Sequence, residues 1–73
     1  MNENIFNDIK NFFLDNSVKI QEAIIKIDRV VFFTENLTAS CMADMILFTE
    51  KNKLTFEAQK RKTGYKFSFC QIT

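Results

Sequence analysis

The sequence predicts a single small α+β domain, an N-terminal helix packed on a three- to four-stranded antiparallel β-meander. Three observations predict it. Apolar residues recur at helical spacing over the first fifteen positions. From Ile24 onward β-branched and aromatic residues dominate in short runs. A chain of 73 residues has room for one domain, 1–73, and no second core.

Each element follows from its own pattern. Ile5, Ile9, Phe12 and Phe13 fall at i, i+4, i+7 and i+8, so residues 3–15 read as a helix. Asn2 or Asn4 can cap it, with Glu3 and Asp8 near the positive end of its dipole. The stripe also continues through Asn16, Ile20, Ile24 and Ile27. Two options follow: one helix to about residue 23, or a second helix capped by Ser17. Ile25, Ile27, Val31 and Phe33 alternate with Lys26, Asp28 and Phe32, so 24–34 contains a strand, interrupted at Arg29. Residues 35–38 are a turn. Residues 39–44 fit either a strand or a short helix capped by Thr38, and Met45 to Thr49 read as strand.

Residues 54–60 and 65–72 form two strands around Arg61-Lys62-Thr63-Gly64. Leu54, Phe56 and Ala58 share one face, as do Tyr65, Phe67 and Phe69. Paired residues project from the same face, so the two apolar sets coincide only across an even-numbered loop. A two-residue Thr63-Gly64 turn or a four-residue loop satisfies this, with Gly64 at positive φ. The sequence shows no internal repeat and no linker.

Nine Phe and one Tyr suit dense packing, and each buried ring removes roughly 150–250 Å² from water. A chain this short still balances burial against ordering entropy near zero, so it needs tight packing or a partner. Cys41 and Cys70 are lone, with no CxxC and no nearby His. They read as reduced apolar residues of a cytoplasmic protein, although one disulfide between them stays open. Asn36-Leu37-Thr38 matches the glycosylation triplet, but no signal-peptide pattern and no membrane-length apolar run accompany it.

The residue set points away from an enzyme. The chain has no His, hence no common general base or triad partner for Cys41, Cys70 or the serines. Two lone thiols fall short of a zinc site, and no cofactor is expected. The size also suggests little room for a cleft of ~300 Å³.

Charge is split by position. Residues 1–50 sum to −4 and residues 51–73 to +5. Lys60, Arg61, Lys62 and Lys66, with Tyr65, make a basic hairpin that could grip phosphates or an acidic protein surface. Tyr65, Phe67 and Phe69 could stack on bases if their face were open. The run Gly64-Tyr65-Lys66-Phe67-Ser68-Phe69 looks like a degraded RNP1 strand of the RNA-recognition motifs. It departs from that pattern at Thr63, Lys66 and Ser68, and the chain is too short for the βαββαβ fold, so the likeness reads as coincidence.

The strands also carry apolar residues on both faces, and one helix covers only one. Val30, Phe32, Ile46, Phe48 and Ile72 therefore read as an interface, for a second copy or for a larger protein. The acidic N-terminal helix has the wrong polarity for a membrane surface. The expected function is a non-catalytic protein-interaction module, a small regulator or inhibitor. In composition the chain resembles the small inhibitors that phages and mobile elements direct against host machinery, anti-CRISPR proteins among them. The alternatives are a nucleic-acid-binding protein using the basic hairpin, and a structural subunit of a larger particle.

Overall fold

The computed structural model describes residues 3–72. The order is α1 (Glu3–Asp15), β1 (Ile20–Ile25), β2 (Arg29–Thr34), α2 (Ala39–Lys51), β3 (Leu54–Arg61) and β4 (Gly64–Gln71). The α+β class, the N-terminal helix and the antiparallel sheet are as the sequence predicts. Of the two options for 39–44 the helix capped by Thr38 forms, but it runs on through 45–51, and the strand order is not that of a meander. The sheet runs β1-β2-β4-β3, so β2 and β4 are central and β1 and β3 are edges. Asn2, a proposed cap of α1, lies outside the described residues.

α1 buries Ile9 and Phe13. It stops at Asp15 because Ser17 takes φ 61°. Its N–H donates to the Leu14 carbonyl (3.1 Å), and that of Val18 to the Phe13 carbonyl (2.9 Å). This is the Schellman closure, with Val18 and Phe13 both buried as its apolar contact. Both continuations of the helix beyond residue 15 are therefore corrected. Residues 20–25 form a strand that pairs with 29–34 as a hairpin, with Ile25 opposite Val30. The single strand read over 24–34 is thus replaced by the end of one strand, a turn and a second strand.

Met45 to Thr49, read as strand, lie within α2. An unbroken apolar run cannot fix its own period. The deciding signals lie at its ends. Thr38, in extended conformation, accepts the Cys41 N–H through its hydroxyl and caps the helix. Cys41, Met45 and Thr49, at i, i+4 and i+8, form the buried stripe. Thr49 returns its hydroxyl to the Met45 carbonyl (2.9 Å), which satisfies it inside the core.

The β3–β4 register is the one predicted. Phe56 pairs with Phe69, Ala58 with Phe67, Lys60 with Tyr65 and Arg61 with Gly64, so the even loop is the two-residue turn Lys62-Thr63 and not Thr63-Gly64. Gly64 sits at φ 107°, and a Cβ there would run into the Thr34 carbonyl oxygen.

Both helices lie on one face of the sheet. Phe13 is the hub, within 6 Å of the rings of Phe12, Phe32, Phe67 and Phe69. Phe12 of α1 stacks on Phe48 of α2 at 4.3 Å.

The chain is also an αββ unit repeated, which the sequence does not announce. Positions thirty-six residues apart play equal parts: Phe12 and Phe48, Asn16 and Asn52, Ser17 and Lys53. Asn16 donates its side-chain amide to the Phe12 carbonyl (2.8 Å), and Asn52 donates to that of Phe48 (2.9 Å). Ser17 and Lys53 both adopt the left-handed region, at φ 61° and 53°.

Two outcomes follow, both read by chemical denaturation. Phe13→Ala should cost about 3–5 kcal/mol, because the hub ring cannot be replaced by relaxation of its neighbours. Lys53→Gly should raise stability by up to about 1 kcal/mol, by removing the left-handed strain of a non-glycine residue.

Candidate interaction surface

The interface set read from the sequence does not survive as one surface. Val30 and Phe32 are wholly buried beneath the helices. Phe48 is half-buried and turned to Phe12. Val30 and Phe32 pair with Phe69 and Phe67, so they lie on the face that the helices cover, and Phe48 belongs to α2 and not to a strand. Ile72 is exposed just beyond β4, and its N–H donates to the Lys53 carbonyl at 2.9 Å. Ile46 is exposed too, but on α2 rather than on a strand.

The far face of the sheet is open and mixed. Ile24, Val31, Phe33 and Cys70 share it with Arg29, Glu57, Ser68 and Lys66, as the pairings Ile24–Val31, Val31–Ser68, Phe33–Lys66 and Arg29–Cys70 require. Val31 is nearly buried by these neighbours without any helix above it. Arg29 holds the exposed Asp28 at 3.2 Å and pulls that carboxyl below its ordinary range, chiefly through the hydrogen bond.

The basic hairpin is assembled as expected, but its side chains divide between the two faces. Lys60 and Tyr65 are paired on the helix side, where the ammonium lies 5.0 Å from the ring centre. Arg61 and Lys66 lie on the open side, with the Arg61 guanidinium 4.6 Å from the Phe33 ring centre. Lys62 sits in the turn between. Phe67 and Phe69 are fully buried in the core, so the stacking of bases on that strand face is corrected. Tyr65 alone of the three aromatics is part-exposed.

Two apolar surfaces have members that the sequence suggests, Ile46 in one and Phe6 and Leu14 in the other, but a location that it does not. Both arise because the helices pack chiefly on the central strands, so that on the inner faces of the edge strands Leu54 is buried while Phe56 and Ile25 stay 38% and 49% exposed. The first is the outer side of α2 beside β3. Met42 and Ile46, one turn apart, are 55% and 59% exposed, and Phe56 on the inner face of β3 is 38% exposed. The second is a cleft of about 870 Å³ between α1 and β1, floored by Phe32. It exceeds the room expected of so small a chain. The i, i+4 spacings Phe6–Lys10–Leu14 and Met42–Ile46 were the available signals. Phe6 and Leu14, off the main stripe, read from the sequence as able to meet a second copy or a partner, with no cleft expected between them, and the Met42–Ile46 spacing is masked because residues 45–49 read as strand.

No group of three or more side chains able to hold a metal ion occurs among the described residues. No helix among them is long and apolar enough to cross a membrane. No protein-family model matches the chain, and no curated protein matches it.

Cys41 faces the core and Cys70 the open face, so the sheet stands between the two thiols, and both are free. Burial, with a smaller contribution from Asp44, pushes the Cys41 thiol up to about 11. A thiol reagent at pH 8 should therefore label one cysteine in the native chain, Cys70. Cys41 should react only with denaturant added.

Proposed function

We propose that the chain is a non-catalytic protein-interaction module, a small regulator or inhibitor. On this reading it works in the cytoplasm by occupying a surface of a larger protein. The observation that carries the reading is the exposed apolar stripe of α2 and β3, lying on the same half of the molecule as the basic hairpin. A surface helix normally turns polar residues outward. Here Met42, Ile46 and Leu47 are each more than half exposed. Contiguous apolar surface rimmed by charge marks protein-binding sites. β3 ends in Lys60 and Arg61, and Lys62 follows. The complementary partner surface is an apolar ridge with acidic residues at one end.

Phosphate contact is the second reading, favoured by four cations between residues 60 and 66. It would rest on the backbone of a nucleic acid and not on base stacking, since Phe67 and Phe69 are inside the core.

Two variants separate the readings. Ile46→Asp should weaken partner binding by ~2 kcal/mol or more, as a central apolar anchor does. Replacing Lys60, Arg61 and Lys62 by Glu should act mainly on the association rate and its salt dependence. Binding to oligonucleotides at low salt, abolished by the triple variant and untouched by Ile46→Asp, would move the function to nucleic acid. A dimer of the pure chain, dissociated by Ile46→Asp in light scattering, would make a second copy the occupant.

A further inference from the structure

The cleft between α1 and β1 lies on the other half of the molecule, away from the α2–β3 surface. We infer that it binds a small amphiphile with an anionic head, of the class of a medium-chain carboxylate. Its volume of about 870 Å³ is that of ligand pockets, which are mostly apolar with a few polar groups that fix orientation. The apolar lining comes from Phe6, Leu14, Val18, Ile20, Ala23 and Phe32. One side is open, which suits a flexible chain laid along the floor.

The polar groups of the lining choose the head. Asn36 is already engaged in both senses. Its Oδ1 accepts the Lys19 N–H at 2.8 Å, and its Nδ2 donates to the Ser17 carbonyl at 3.1 Å. The Lys19 ammonium lies 3.9 Å from the Glu35 carboxylate. Lys10 differs from these. It stands one turn from both Phe6 and Leu14, on the side of α1 that lines the cleft. Among the described residues no carboxylate lies within ion-pairing distance of its ammonium. An anion placed there would gain a charge-assisted contact beside apolar wall.

The adjoining edge makes a small molecule the better occupant than an added strand. β1 breaks register between Ile20 and Glu22, leaving Gln21 as a bulge. A bulge spoils an edge as a template for another strand. The corresponding positions in the second half are Met42 for Phe6, Ile46 for Lys10 and Phe56 for Ile20. The cation therefore belongs to one half only, and so does the site.

The test uses the full chain and three probes with ten-carbon chains, decanoate and decyltrimethylammonium below their micelle concentrations and decanol below its solubility limit. Titration is followed by calorimetry and by amide chemical shifts. Decanoate should saturate one site, with shifts at Leu14, Val18, Ile20 and Ala23. Decanol should bind at least ten-fold more weakly, and the cation should not saturate. Lys10→Glu should lower decanoate affinity at least ten-fold and let the cationic probe bind. Ala23→Phe should fill the floor and abolish binding of all three. If Ala23→Phe fails to fold, the charge reversal at Lys10 still decides. Absence of saturable decanoate binding would overturn the inference. So would equal affinity for the three probes, shifts confined to the α2–β3 side, or decanoate affinity unchanged in Lys10→Glu.

Discussion

The structure depends on one aromatic contact set, Phe13 of α1 held against Phe32, Phe67 and Phe69 of the two central strands. Each of the four rings is fully buried. A chain this small gains most from burying rings, and it buries them where β2 and β4 adjoin. That choice fixes the position of α1 over the middle of the sheet. Phe12 stacked on Phe48 then brings α2 in beside it. With both helices drawn to the centre, the inner faces of β1 and β3 are only partly covered: Leu54 is buried, while Phe56 and Ile25 remain exposed. The cleft beside β1 and the stripe beside β3 are two consequences of a single packing decision.

The two halves share a frame and differ in decoration. Matching C-terminal closures at Asn16-Ser17 and Asn52-Lys53 set both helices to the same length and return the chain to an edge strand. Thr38 locks the halves together, since its hydroxyl also reaches the Asn16 carbonyl at 2.7 Å. Outside that frame the halves diverge. The first puts Lys10 between two apolar side chains, and the second puts Ile46 and Met42 in the open with Lys60, Arg61 and Lys62 at the far end of its edge strand. Such asymmetry on a repeated frame is consistent with two surfaces taking two kinds of occupant.

Local signals in the sequence were legible where period and turn chemistry agree. The helix over 3–15, the register of 54–60 against 65–72 and the positive φ of Gly64 all follow from them. Where one period shades into another, they failed. The stripe through Ile20 and Ile24 reads as helical because Asp15-Asn16-Ser17 is only a weak break, lacking the glycine that usually takes the left-handed position Ser17 occupies. Met45–Phe48 is apolar at every position, so the cap at Thr38 and the i, i+4, i+8 spacing of Cys41, Met45 and Thr49 carry the helical signal. The hairpin cations were found from charge alone. Their division between two faces required the register, and the burial of Phe67 and Phe69 required knowing that two helices lie on one side.

The helices cover the middle of the sheet and leave the α2–β3 side open. Methionine methyl resonances report on it directly, because Met42 and Met45 lie on the same helix with opposite fates, one exposed and one buried. A soluble nitroxide added to the methyl-labelled chain should broaden the Met42 methyl strongly and leave that of Met45 sharp. Equal protection of both methyls would mean that this side is covered. Equal broadening would mean that the aromatic core does not hold α2 in place. Either result would contradict the account.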